Sequence, residues 1–207
     1  MFRDRLTAGR LLAEKLKRIK ISNGIVLAIP RGGVPVGKII AETLQLPLDI
    51  ILIKKIGHPL NKEYAIGAAS LEDYFIIPHE DVSDQYIHEE LKQVRKILLT
   101  MKEKYVGNRS ALPLINKTVI LVDDGIATGN TMLQTIAIVK KSKPASIIAA
   151  IPVLPKNKAK IMGKELNKLV SLIEADDFYG ISSFYEYFEQ VSDEVVIEYL
   201  QPSISPK

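Results

Sequence analysis

Two neighbouring carboxylates, Asp123 and Asp124, emerge from a run of four apolar residues in the segment VILVDDGIATGNTM (residues 119–132). Carboxylates are poor partners for phosphate but good acceptors for vicinal hydroxyls, the pattern a sugar ring presents. Directly after them, Thr128, Gly129, Asn130 and Thr131 lie where a helix should begin, and amide and hydroxyl donors at a helix N-terminus suit a terminal phosphate. A second segment, AIPRGGVPVG (residues 28–37), sets Arg31, Gly32 and Gly33 before another helix. Its glycines let backbone amides approach a ligand, and its arginine supplies a charged fork for an oxyanion. A sugar with a phosphate at one end and a pyrophosphate at the other would satisfy all of these groups together. Each segment also has a plainer reading: paired aspartates can cap the following helix, and Pro-Arg-Gly-Gly can be a tight turn with a surface arginine.

Such groups need a scaffold that brings both loops to one edge. Residues 25–29 read as a strand, 34–44 as a helix and 48–53 as a second strand, a unit that should be parallel with helices on both faces of the sheet. Further strands are expected at 119–122, 147–153 and 169–173, with a helix over 131–140. In open parallel sheets, ligands bind beyond the carboxyl ends of the strands, where both segments fall. An amphipathic helix is expected over 6–19. Residues 54–63 (KKIGHPLNKE) read as a polar loop, and the short apolar runs at 65–69 and 74–77 as a hairpin or meander. A long charged helix should follow Ser83 or Asp84 to about residue 105, as a solvated cover or a dimer contact. The tail carries most of the aromatics and closes with a short helix over 193–200.

The chain has 207 residues, of which 47% are apolar, enough for a substantial core in one domain with a small appendage. No apolar run approaches the roughly 18 residues that would suggest a membrane span, and the N-terminus lacks the apolar centre of a signal peptide, so a cytoplasmic protein is expected. The absence of cysteine excludes disulfides, thiolate metal sites and cysteine nucleophiles. His58, His79 and His88 show no metal-ligand spacing. A net charge of +4 favours an anionic substrate without indicating nucleic acid.

The segment at 119–132 resembles the phosphoribosyl pyrophosphate (PRPP) signature of the type I phosphoribosyltransferases, and the segment at 28–37 resembles their pyrophosphate loop. KKIGHPLNKEYAIGA (residues 54–68) and FYEYFEQVSDEVV (residues 184–196) are similar to a bacterial group within that family. The resemblance implies an α/β fold with a central, mostly parallel sheet flanked by helices, forming a core over residues 1–175 and a hood over 176–207. It implies magnesium held mainly by PRPP, and transfer of the phosphoribosyl group to a nitrogenous base, or the reverse pyrophosphorolysis. On this reading Asp123, Asp124 and Arg31 serve catalysis. Ala127, Thr128, Gly129, Asn130 and Thr131 take the 5′-phosphate, while Arg31, Gly32 and Gly33 take pyrophosphate. The resemblance further implies a cis Pro30–Arg31 peptide; the loop at 54–63 is a candidate lid, and a homodimer is expected.

Lys54 and Lys55 are either a solvated strand end or further pyrophosphate contacts. Phe178, Tyr179 and Tyr185 either stack on the acceptor or fill a core. Where hypoxanthine-guanine members carry an aspartate near the purine, this chain has Ala127, which argues against those two acceptors. A different class, a PRPP-sensing regulator that binds nucleic acid or a protein without turnover, would call for a dense basic face, and only scattered lysine pairs are present.

Overall fold

The computed structural model describes residues 1–201; residues 202–207 of the expected hood lie outside the described part. Five strands form one fully parallel sheet in the order β2-β1-β6-β7-β8: β1 is Gly24–Ala28, β2 Leu48–Ile50, β6 Thr118–Val122, β7 Ser146–Pro155 and β8 Lys168–Ala175. Every residue of β1 is buried, as expected of a strand covered on both faces. One face packs under α1 (Arg5–Leu16) and α2 (Gly33–Leu44), through Leu12, Leu16, Val36 and Ile40 against Val26, Ile120 and Ile148. The other packs under α4 (Asn130–Lys141) and α5 (Lys156–Met162), through Met132, Ile136 and Met162 against Leu27, Leu121 and Ile151. The strand order has a functional consequence. From β1 the chain leaves through α2 to β2 on one side, and from β6 it leaves through α4 to β7 on the other. A crevice therefore opens between the carboxyl ends of β1 and β6, the switch point at which open α/β sheets hold ligands.

A second, antiparallel sheet joins β3 (Lys54–His58), β4 (Asn61–Ala69) and β5 (Tyr74–Ile76). Pairing of β4 with β5 matches the expected hairpin, but the expected loop at 54–63 is itself a hairpin, with Lys54 opposite Ala69 and His58 opposite Asn61. Gly57 permits this. A β-carbon there would lie 2.4 Å from the Lys62 carbonyl oxygen, and the register shifts on both sides of it. Long-range pairing with β4 thus overrides the polar, turn-rich composition.

Helix α3 (Asp84–Val106), capped by Ser83, is more than a solvated cover. It buries Leu91, Val94 and Leu98 against Ile56 and Ile66 of the small sheet and Val196 of α6 (Asp193–Leu200). The tail is clasped to the N-terminus. The Phe2 amide donates to the Phe184 carbonyl (2.7 Å), the Glu186 amide donates to that of Phe2 (2.8 Å), and Phe2 and Tyr185 are buried together. Helix α1 is three residues shorter at its C-terminal end than its periodicity suggested, ending at Leu16 rather than 19. Among the described residues, no helix is long and apolar enough to cross a membrane.

Candidate active site

Backbone register builds the site. Ala28 pairs with Val122, so residues 29–33 and 123–129 leave the sheet side by side, tied by the Ile29 amide donating to the Val122 carbonyl at 2.9 Å. Two glycines let the first loop lie directly on the second. A β-carbon on Gly32 would sit 2.0 Å from Asp124 Oδ2, and one on Gly33 would sit 2.6 Å from the Val122 carbonyl oxygen. The Pro30–Arg31 peptide is cis. Half-exposed, Arg31 lies with Nη1 3.8 Å from Asp193 Oδ1 at the start of α6; that carboxylate also accepts from Lys104 and from the Tyr105 hydroxyl of α3.

The two aspartates have different surroundings. Asp123 is half-buried, and its Oδ1 accepts the Asp124 amide at 2.9 Å. Burial, reinforced by the neighbouring Asp124 carboxylate, holds its pKa well above the ordinary aspartate range. Asp124 is buried and committed: its Oδ2 accepts from Arg5 Nε at 2.7 Å, and its carbonyl accepts from the Tyr185 hydroxyl at 2.6 Å. Arg5 lies 3.8 Å from the Phe188 ring centre and donates through Nη1 to the Glu189 carbonyl. Thus the N-terminus and the tail jointly fix the second aspartate.

Beyond the aspartates the chain turns at Gly129, whose φ of 84° lies in the left-handed region and whose added β-carbon would meet Met162 at 2.8 Å. No side chain caps α4, so the backbone donors of its first turn face outward beside exposed Ala127, Thr128, Asn130 and Thr131. Next to this loop, at the ends of β7 and β8, is a cavity of about 620 Å³ bordered by Ala127, Lys156, Lys158, Lys160, Asp176 and Phe178.

The expected site residues therefore divide. Asp123, Asp124, Arg31, Gly32 and Gly33 converge at the switch point, and Ala127 to Thr131 line its neighbouring helix start. Lys54 and Lys55 instead open β3 as exposed residues, with Lys55 paired to Glu63 at 2.8 Å. Phe178 borders the cavity and stacks on Phe184, with 5.5 Å between ring centres. Tyr179 is 92% exposed. Of the two readings open for Tyr185, the structure shows the core one: its ring is buried against Phe2 and its hydroxyl supports Asp124, so it is a prop and not an acceptor wall. Arg5 and Asp193 escaped that reading because each sits in the first turn of a charged helix, where it looks like ordinary surface. Among the described residues no group of three or more carboxylates or histidines could hold a metal ion.

The profile of the phosphoribosyl transferase domain matches residues 5–189. The chain belongs to this family. Two Mycobacterium tuberculosis proteins, from strains CDC 1551 / Oshkosh and H37Rv and provisionally named phosphoribosyl transferases, are each 30% identical to it over 205 residues, covering 97% of this chain and 46% of theirs. The chain thus spans about half the length of the curated relatives it matches. The structure of TT1426 from Thermus thermophilus superposes with a TM-score of 0.87 at 34% identity, covering 96% of this chain and 97% of the other. A hypoxanthine-guanine phosphoribosyltransferase from Bacillus anthracis, at 14% identity and a TM-score of 0.51, covers 83% of this chain and 79% of its own and shares the fold.

Proposed function

We propose that this phosphoribosyltransferase domain transfers the 5-phosphoribosyl group of PRPP to a nitrogenous base and releases pyrophosphate, or runs that reaction in reverse. The observation that carries the reading is the contact between the two loops, with Gly32 lying against Asp124. One ligand can then reach the sugar-binding acid, the outward amides of α4 and Arg31 at once. Asp123 accepts the ribose hydroxyls. Asp124, held by Arg5 and Tyr185, fixes the turn that aims it. The first turn of α4 takes the 5′-phosphate, while Arg31 and the backbone of residues 31–33 take pyrophosphate.

At the anomeric carbon, pyrophosphate departs with its bonding electrons as the acceptor nitrogen attacks from the opposite face. The domain acts by orienting the two reactants and by offering fixed donors to the leaving charge. Magnesium, when bound with PRPP, neutralises pyrophosphate. The β3–β4 hairpin, in place of the loop expected there, is the proposed lid, and the tail is the proposed hood. Titration calorimetry with PRPP and magnesium, followed by an assay of pyrophosphate release across a panel of bases, tests the reading. Failure of PRPP to bind would overturn it.

A further inference from the structure

The cavity beyond the phosphate loop has a charge that the donor sugar does not explain. Three lysines, Lys156, Lys158 and Lys160, border it against one carboxylate, Asp176. Lys156 pairs with Asp176 at 3.2 Å, but Lys158 and Lys160 have no ion-pair or hydrogen-bond partner among the described residues. Lys158 is half-buried, and a β-carbon placed on Gly129 would lie 3.8 Å from its side chain, so it runs alongside the phosphate loop. Phe178, backed by its stacking partner Phe184, adds an aromatic wall. Ala127, which also borders the cavity, brings no carboxylate to oppose an incoming anion.

Position assigns this cavity to the second reactant. The donor's two anionic ends are matched by loops after β1 and β6, whereas the lysines belong to α5 directly after β7, and Asp176 and Phe178 follow β8, all on the side of β6 away from β1. An aromatic wall with surplus ammonium groups suits a flat ring carrying negative charge. We propose that the acceptor is a planar nitrogen heterocycle bearing a carboxylate, whose charge is met by Lys158 and Lys160. This deepens the transferase reading and rests on it. The transfer balances without a co-reactant: the anomeric C–O bond breaks with its electron pair leaving on pyrophosphate, the ring nitrogen's lone pair forms the new C–N bond, and any N–H proton passes to water.

Matched acceptors test the proposal: orotate against uracil, and nicotinate against nicotinamide, each assayed for pyrophosphate release at saturating PRPP, with calorimetry of the same compounds on the PRPP-loaded protein. The acid of at least one pair should exceed its uncharged partner in kcat/KM by roughly ten- to a hundredfold, the scale of one or two charge-assisted hydrogen bonds. The double variant Lys158→Gln, Lys160→Gln should bring that ratio toward one, and Lys158→Arg, Lys160→Arg should keep it. Equal use of both partners, or no acid bound while PRPP binds, overturns the proposal. So does a double variant that loses PRPP affinity and keeps the acid preference, because the lysines would then serve the donor's phosphate. Loss of PRPP binding by the unmodified protein would overturn the transferase reading as well.

Discussion

The crevice at the switch point and the cavity beyond β7 and β8 lie along the same sheet edge and carry opposite chemistry. In the crevice, each basic group is opposed by an acid: Arg5 by Asp124, and Arg31 by Asp193. In the cavity, three lysines face one aspartate. Balanced charge fixes geometry, because each partner is held where it is. Surplus charge is left to attract something that arrives from solution. The difference separates residues that shape the site from residues that await a ligand, and it also runs through the adjacent aspartates, of which one is committed and the other half-open.

The largest expected effect breaks the committed half. Asp124→Ala leaves the half-buried Arg5 guanidinium without its acid and should cost about 3 kcal/mol of stability, read as a lowered denaturant midpoint. Asp123→Asn should leave the fold intact and reduce PRPP affinity by about a hundredfold, since a carboxylate acceptor for hydroxyls is exchanged for an amide that also donates. If the two variants exchange these phenotypes, the division between the aspartates is wrong. Arg31→Ala should weaken PRPP and pyrophosphate by roughly tenfold or more and spare ribose 5-phosphate, which calorimetry with the three ligands checks.

A smaller effect concerns pH. The pKa of Asp123 is raised in the fold above its unfolded value, chiefly by burial. Its favourable contribution to folding is therefore complete below the ordinary carboxylate pKa and is lost as pH rises through the raised value. Asp123→Asn should accordingly melt higher than the unmodified protein at neutral pH, by roughly 2–4 °C for each kcal/mol relieved, and the gap should close in acid. PRPP affinity should run the other way, falling as Asp123 takes up its proton. A melting difference that widens in acid would contradict the assignment of burial as the cause. The smallest expected signal is catalytic: Ala127→Asp should confer at most slight turnover of hypoxanthine or guanine, acceptors for which the unmodified protein should show little or none.

How much of this could be read from sequence depended on the range of the interactions involved. The run at 119–122, the two aspartates and the glycine-bounded turn lie within a few residues of one another, and so do Arg31 and its glycines; local strand, turn and helix rules suffice for both. The five parallel strands followed from alternating strand and helix patterns. The β3–β4 hairpin did not follow, because Pro59, Gly57 and a string of charges read as loop, and only pairing with residues 61–69 makes them a strand. Tyr185 and Arg5 were illegible for the same reason on a larger scale, since each meets Asp124 from an opposite end of the chain. No local spacing announces a contact of that length.

The most direct test of the central claim is a pair of calorimetric titrations, PRPP with magnesium into the unmodified protein and into Asp123→Asn. A single site on the unmodified protein, with affinity lost in a variant that remains folded, is the predicted result. Equal affinity in the two proteins would contradict the account, because the half-open aspartate at the switch point would then not hold the sugar.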